Sequence, residues 1–453
     1  MPPPHLPLFH MNILLIALDS LRADHLGCYG YPRDTSPNLD ALARQGVVLD
    51  RWFTPAIPTQ PSFATIYSGQ YPLTHGVISH GGAEALPAAS PFFTEDLQQA
   101  GLVTCAVDNL YSMRPWFARG YEFYIDPSHR APLRLSVSCK GINSRALPWV
   151  RAHAREPFFL LVHYWDTHTL YKPPARLRHR YYDGDPTETR FTTLEGMRTA
   201  PLGDVWSETW LAPLSRRLWG GREVRDAEYV VALYDACIRY VDEAVGDLLS
   251  ALEDGGVADD TLVVVTADHG EMMYRHGIFF DHHGLYNGNL RLPFIARWPG
   301  RIAPGRRRDE LLETVSLAPT LLEAAGAQAP AAMEGASILA LLTGEGTPGP
   351  PNGRVVAAEC TWQCKWCLLR DRRKLILARE PDLYGRPRRE LYDLSSDPDE
   401  LHDLAPGQPD RADEMEAELE RCVADMLERN HLDHDPLTTH GTTLGKRWAE
   451  GRF

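Results

Sequence analysis

Asn12-Ile13-Leu14-Leu15-Ile16-Ala17-Leu18 runs almost without polar interruption and stops at Asp19-Ser20. A run without alternation is a strand buried on both faces, which predicts a parallel sheet covered by helices. Phe158 to Tyr164 repeats the pattern and leads into Asp166 and His168; Thr261 to Thr266 repeats it again and leads into Asp268-His269. Leu102 to Val107, stopping at Asp108-Asn109, and Leu292 to Arg297 supply two further strands. Between these runs, apolar residues at three- and four-residue spacing predict helices. They fall at Leu39 to Gly46 after the cap Ser36-Pro37, at Phe93 to Ala100, at Asp226 to Leu252 and at Ser316 to Ala325. From Leu170 to Gly221 the periodicity lapses among Arg, Tyr and Pro, as in a long insertion over one face. The turn-rich stretch from Thr343 to Gly353 predicts a boundary. Beyond it, Val355 to Cys367 and Lys374 to Ala378 predict a small antiparallel sheet and Arg411 to Glu428 an acidic amphipathic helix, with the last twenty or so residues irregular. The expected class is therefore α/β. A mostly parallel sheet flanked by helices occupies residues 11–343, a connector 344–353, and a small α+β subdomain 354–453.

Bulk properties narrow the function. At 453 residues the chain exceeds one ordinary core. A formal net charge of -14 argues against a nucleic-acid partner, which would need a basic footprint. No apolar run reaches the length of a membrane span. Residues 1–10 are Pro-rich and lack the basic and apolar regions of a signal peptide, and Met11 is an alternative start, so a cytoplasmic protein is expected. Eight scattered cysteines are expected as buried small hydrophobes in a reduced compartment. Cys360, Cys364 and Cys367 share the C-x3-C-x2-C spacing of radical iron–sulfur enzymes, but late in the chain and in a segment that alternates like a strand. Strand residues are the preferred reading. Oligomeric state is open, a homo-oligomer being one possibility.

The chemistry converges on one sheet edge. In an open parallel sheet the ligand site lies outside the carboxyl ends of the strands. Asp19, the pair Asp166/His168 and Asp268-His269 all end strands, and three such endings together are hard to explain as caps. A fourth group comes from Thr54 to Gly69: Pro61-Ser62 and an apolar run predict a helix of about two turns ended by Gly69. Thr59 then stands just before a helix N-terminus, where negative charge is favoured. Two carboxylates, an imidazole and the Thr59 oxygen make a divalent-cation site whose mixed donors suit Zn²⁺ or Mn²⁺ better than Ca²⁺. The cation would lower the pKa of the Thr59 hydroxyl.

Asp19-Ser20-Leu21-Arg22-Ala23-Asp24-His25, followed by Ser36-Pro37-Asn38-Leu39-Asp40, resembles the opening motif of sulfatase-like enzymes in the alkaline phosphatase superfamily. Thr59-Gln60-Pro61-Ser62 with Ser68-Gly69 resembles their nucleophile motif C-x-P-S-R. The likeness continues through His163 to His168, Thr266 to Glu271, Gly284-Leu285-Tyr286, Arg291 to Phe294, Leu391 to Leu394 and Asp397-Pro398, in the expected order. The resemblance implies Asp19, Thr59, Asp268 and His269 as metal ligands and His168 as the histidine attending the leaving group. It places His282, or His283 by one residue of register, near a lysine that binds the substrate anion, and Asn109 near a second. Arg275 and His276 share that loop without an assigned role.

The departures from the pattern redirect the expected activity. Sulfatases convert the Cys or Ser at the nucleophile position to formylglycine, with an Arg in the maturation signal where this chain has Phe63. Thr59 is not a substrate for that modification, so no formylglycine is expected. A sulfated Thr lacks the exit that a formylglycine diol provides, whereas water can displace a phosphorylated Thr at phosphorus. Phe63, Asn109 and His282 also remove cations that would hold a dianion. The expected function is hydrolysis of a small phosphodiester or phosphonate monoester through Thr59, with His168 and His282 protonating the leaving oxygen. A sulfatase acting without formylglycine, a phosphoryl head-group transferase and a non-catalytic scaffold are the rivals. A second metal held by Asp166, His168 and His282 or His283 is a further alternative.

Overall fold

The structure, a computed structural model, describes residues 11–82, 85–128, 137–190, 192–203, 207–219, 221–345, 353–439 and 441–451. Most of the expected connector, residues 346–352, lies outside them.

β1 (Asn12–Leu18), β7 (Phe158–Tyr164) and β8 (Thr261–Thr266) are buried at every position, as continuous apolar runs require when both faces are covered. They form the centre of an eight-stranded sheet. β7 and β8 flank β1 in parallel register, pairing Ala17 with His163 on one side and with Thr266 on the other. β5 (Val103–Val107) and β6 (Phe123–Ile125) extend the parallel side. β2 (Val47–Leu49), β10 (Phe294–Arg297) and β11 (Arg306–Arg308) complete the other, β10 running antiparallel. The expected strand from Leu292 to Arg297 is split. Pro293 has no N–H to give to a ladder, so Arg291–Leu292 (β9) pairs with β3 (Trp52–Phe53) in a separate three-stranded sheet completed by β12 (Leu312–Glu313).

Helices cover the main sheet. The longest, Ala227–Asp254, starts under an Asp226 side-chain cap, and packs against the helix Cys139–His153. Its buried Asp242 accepts hydrogen bonds from the N–H groups of Asn38 and Leu39, docking the helix Pro37–Arg44 by its N-terminus. In the stretch read as an unpatterned insertion, Ser207–Leu211 forms a π-helical turn and Ala212–Trp219 an α-helix.

The C-terminal sheet orders β13 (Arg354–Glu359), β14 (Lys365–Arg370), β15 (Arg373–Ala378) and β16 (Arg389–Asp393), all antiparallel. Its fifth strand comes from far away: β4 (Ala56–Ile57) pairs in parallel with Ala358 and Glu359 of β13. The segment leading into Thr59 is thereby stitched to the C-terminal sheet. Two expectations change here. Val355 to Cys367 is not one strand but a hairpin, with Cys360–Cys364 as its connection. The end of the chain is not irregular, since Pro436–Thr439 and Leu444–Ala449 are helical. Helix Pro409–Arg429 lies across the sheet as its amphipathic pattern predicts, burying Met415, Leu419, Val423 and Met426.

Candidate active site

Asp19 follows β1, held by its own N–H to Tyr164 O (2.9 Å) and by Thr167 Oγ1, which donates to its carbonyl (2.5 Å). Ser20 takes a left-handed φ of 57° and donates its hydroxyl to Asp19 Oδ1 (2.7 Å). Its N–H faces Asp268 Oδ1 at 3.4 Å, so the ends of β1 and β8 are tied side by side. Gly270 lets the chain turn away after β8: a Cβ there would lie 1.9 Å from Gly288 O.

Thr59 opens the helix Thr59–Ser68 as its first residue rather than preceding it, and Gly69 ends the helix at φ 62°. Ser62, one turn on, donates to Asp268 O (2.5 Å) and fixes the helix against β8. Thr59 Oγ1 consequently lies 3.2 Å from His269 Nε2. That nitrogen is 3.3 Å from Asp268 Oδ2 and 4.0 Å from Asp19 Oδ1. His269 Nδ1 donates to Gly270 O (2.8 Å), which leaves the Nε2 lone pair facing this cluster. Burial pushes His269 down to about 3, so the ring is neutral, and burial raises Asp268. Asp19 Oδ2 and Asp268 Oδ2 are fully buried without hydrogen-bond partners. Orphaned carboxylate oxygens beside an imidazole lone pair cost free energy that a divalent cation would offset. Asp19, Asp268 and His269 are the one group of three such side chains among the described residues with donor atoms mutually within 4.8 Å. The donor set fits a cation of the kind that sulfatase-family members bind.

Two histidine rings, those of His282 and His168, border this cluster. His282 lies with its ring centroid 4.7 Å from that of His168 and 4.8 Å from that of His269. Burial disfavours charge on His282, but the carboxylates of Asp281 and Glu271, 3.6 Å and 3.8 Å from its Nδ1, outweigh burial and push it up to about 10. His168 donates Nδ1–H to Thr169 O (2.5 Å). His283 separates from this group: its Nε2 meets the Tyr384 hydroxyl, and its ring stacks on Tyr384 and approaches Trp362. Asn109 is buried at the end of β5. Asp166 sits against the backbone N–H of Cys139, with burial raising it to about 7, and forms no donor group with His168. Arg275 pairs with Asp399, and His276 stacks on Tyr286 at 3.7 Å, both turned away from Thr59 toward the C-terminal residues.

Two residues escaped the sequence reading. His163, inside β7, donates Nδ1–H to Asp108 Oδ1 (2.8 Å) and points Nε2 toward Asp19 Oδ2 at 3.7 Å, all three side chains fully buried. Burial opposes its charge and Asp108 more than restores it, leaving the pKa raised. The available signal was a lone histidine in an apolar run, paired with the Asp that ends the neighbouring strand. His80 is the other. Burial lowers it to about 3, and the nearby rings of His282, His269 and His168 add to that effect. Its Nδ1 is buried without a partner. Nothing local in Ser79-His80-Gly81 marks it; it is brought there by Thr361 Oγ1, which accepts its N–H (2.8 Å), and by Thr443 Oγ1, which donates to its carbonyl (2.9 Å).

Known proteins resemble the chain over most of its length. An N-acetylglucosamine-6-O-sulfatase of Bacteroides thetaiotaomicron is 24% identical over 94% of this chain and 87% of its own length. A solved structure in complex with its substrate D-glucosamine-2-N,6-O-disulfate superposes with a TM-score of 0.74 at 21% identity, covering 94% of this chain and 99% of that one. A phosphonate monoester hydrolase from Silicibacter pomeroyi superposes with a TM-score of 0.73 at 22% identity, covering 94% and 96%. The sulfatase family profile matches residues 11–327, well over half of the sequence, and the chain belongs to the sulfatase family, ester hydrolases with the alkaline phosphatase-like fold.

Proposed function

We propose that the protein is a metal-dependent hydrolase of phosphate esters, acting on a phosphodiester or a phosphonate monoester through a covalent intermediate on Thr59. The observation that carries the reading is the Thr59 hydroxyl 3.2 Å from His269 Nε2, beside the donor cluster; by the motif resemblance, Thr59 takes the position of formylglycine in sulfatases. A threonine there cannot be converted, and a sulfate on it would have no aldehyde-forming exit. Phosphorus tolerates a second displacement by water. Phosphonate monoester hydrolases from Agrobacterium radiobacter and Silicibacter pomeroyi among the structural neighbours support the choice.

Asp19, Asp268, His269 and the Thr59 oxygen would hold one divalent cation, Mn²⁺ or Zn²⁺ in preference to Ca²⁺. When bound, it supplies Lewis acidity that favours the ionised Thr59 hydroxyl and neutralises phosphoryl charge. Thr59 Oγ1 forms a bond to phosphorus while the bond to the leaving oxygen breaks. His168 Nε2 or His282, on the open side of the cluster, gives that oxygen its proton. Water then attacks phosphorus and returns a proton to that histidine, the phosphorus–Thr59 bond breaks, and Thr59 takes up from solvent the proton it released on ionising. Imidazoles rather than lysines around the site suit a monoanionic ester over a dianion.

A panel of aryl phosphodiester, phosphonate monoester, phosphate monoester and sulfate ester, each with Mn²⁺ or Zn²⁺, tests the reading. Rapid quench should show one phosphoryl mass on the Thr59 peptide. Preferred turnover of the sulfate ester would establish the second reading, a sulfatase working without formylglycine. That reading draws support from the sulfatases that align over most of the chain.

A further inference from the structure

Cys360 and Cys364 are absorbed neither by the active site nor by a metal cluster. The third member of their motif parts from them. Cys367 packs with Phe53, Ile57 and Ile376 on one face of the C-terminal sheet, whereas Cys360 and Cys364 pack with Trp366, Leu368 and Met415 on the other. Alternation along β14 enforces that split, so the three sulfurs do not face one centre. The register that pairs Glu359 with Lys365 makes Cys360 and Cys364 the next cross-strand positions. Their sulfurs lie 3.7 Å apart. Cys360 S–H is turned to Gly441 O (3.3 Å), and the Cys364 thiol to the Cys360 sulfur. Cys364 also lines a cavity of about 320 Å³ with Trp362, Glu380, Thr442 and Lys446.

We propose that Cys360 and Cys364 are a redox-active dithiol, closed to an intramolecular disulfide by a low-molecular-weight disulfide that enters this cavity. Cys364, as the thiolate, attacks one sulfur of the oxidant and releases the first small thiol, leaving a mixed disulfide. Cys360, losing its own proton, attacks Cys364 Sγ and releases the second. Two cysteine thiols and one small disulfide thus give one protein disulfide and two small thiols, the two electrons passing to the oxidant and the two protons to the released thiols. The sulfurs must approach from 3.7 Å to about 2.05 Å, within reach of a cross-strand pair at a hairpin end. The hydrogen bond to Cys360 and burial push the Cys364 thiol up, so its attack on the oxidant quickens as pH rises.

Closure pulls on the residues between the cysteines. Thr361 holds His80 N–H, and the N–H of Thr443, whose hydroxyl holds the His80 carbonyl, donates to Cys360 O (3.3 Å). The disulfide therefore acts on the segment that brings His80 to the catalytic cluster, whichever ester the enzyme cleaves.

Native, metal-loaded protein incubated with oxidised glutathione tests this directly. The expected product is 2 Da lighter, yields a peptide carrying the Cys360–Cys364 disulfide, and returns to the original mass with dithiothreitol. Amide exchange in the peptide containing His80 should change on oxidation while that of β1 stays the same. Cys364→Ser, folded by circular dichroism, should show neither change. Alkylation of both thiols after exposure to the oxidant, or a glutathione adduct on Cys364 that never resolves, would overturn the dithiol. A closed disulfide with unaltered exchange at His80 would overturn its link to the site.

Discussion

The ring of Phe63 lies 5.0 Å from that of His163, so an apolar side chain packs against the histidine that faces Asp19. Positive character reaches Asp19 from the strand behind it, through His163 held by Asp108. In the proposed metal site this pair orients a ligand carboxylate, and such supports commonly matter 10- to 100-fold, roughly, in metal affinity. His163→Ala and Asp108→Asn are therefore expected to weaken Mn²⁺ binding by about that factor in chelator competition. The melting temperature of the metal-free protein separates this effect from misfolding. Affinity equal to that of the unmodified protein in both variants would refute the assignment.

Thr59 is asked to be both a cation ligand and the nucleophile. Thr59→Ala is expected to lower turnover by roughly 10³-fold or more, because the covalent route disappears with the oxygen. Thr59→Ser keeps that oxygen and should stay within about tenfold of the original, at the cost of the methyl group that fixes the rotamer. Steady-state kinetics on the preferred ester decides. Near-normal kcat in Thr59→Ala would remove Thr59 from the mechanism and leave water as the direct nucleophile.

His282 gives the metal-free protein a characteristic pH dependence. Its folded pKa of about 10 lies above the unfolded value of about 6.5, so the folded state binds the proton more tightly. The stabilisation is fully present below about pH 6.5 and is lost as pH rises toward about 10, when the Asp281 and Glu271 carboxylates face a neutral ring. Thermal melts of the protein and of His282→Gln should thus differ most at pH 6 and converge near pH 10. Parallel curves across that range would mean that His282 is not charged in the folded chain.

Much of this arrangement was legible because strand ends are local features. Asp19, Asp268 and His269 each follow a run whose burial is written in its own residues, and parallel pairing of β1 with β8 brings them together. His282 and His283 could not be separated by sequence, because which ring turns toward the cluster depends on Tyr384 and Trp362 in the C-terminal sheet. His163 was hidden for a different reason: inside an apolar run a histidine reads as packing, and its meaning comes from Asp108 on the next strand. The split at Pro293 was readable in principle, since a proline cannot donate within a ladder, but the apolar pattern ran straight across it.

His80 depends on long-range contacts of the same kind, and its role can be isolated. Its main chain is pinned by Thr361 and Thr443, residues distant in sequence, and its Nδ1 is buried without a partner beside the other three histidines. Burial keeps it neutral, which suits a ring that hydrogen-bonds a substrate oxygen rather than one that transfers the proton. One such bond contributes about 1–1.5 kcal/mol, so His80→Ala should raise KM for the preferred ester by roughly tenfold while kcat changes little. Metal content should stay at one ion per chain, because His80 lies outside the donor group formed by Asp19, Asp268 and His269. His80→Asn, which keeps a side-chain donor and acceptor, should recover part of the loss. A fall in kcat with KM unchanged would instead move His80 from substrate binding to the proton-transfer step.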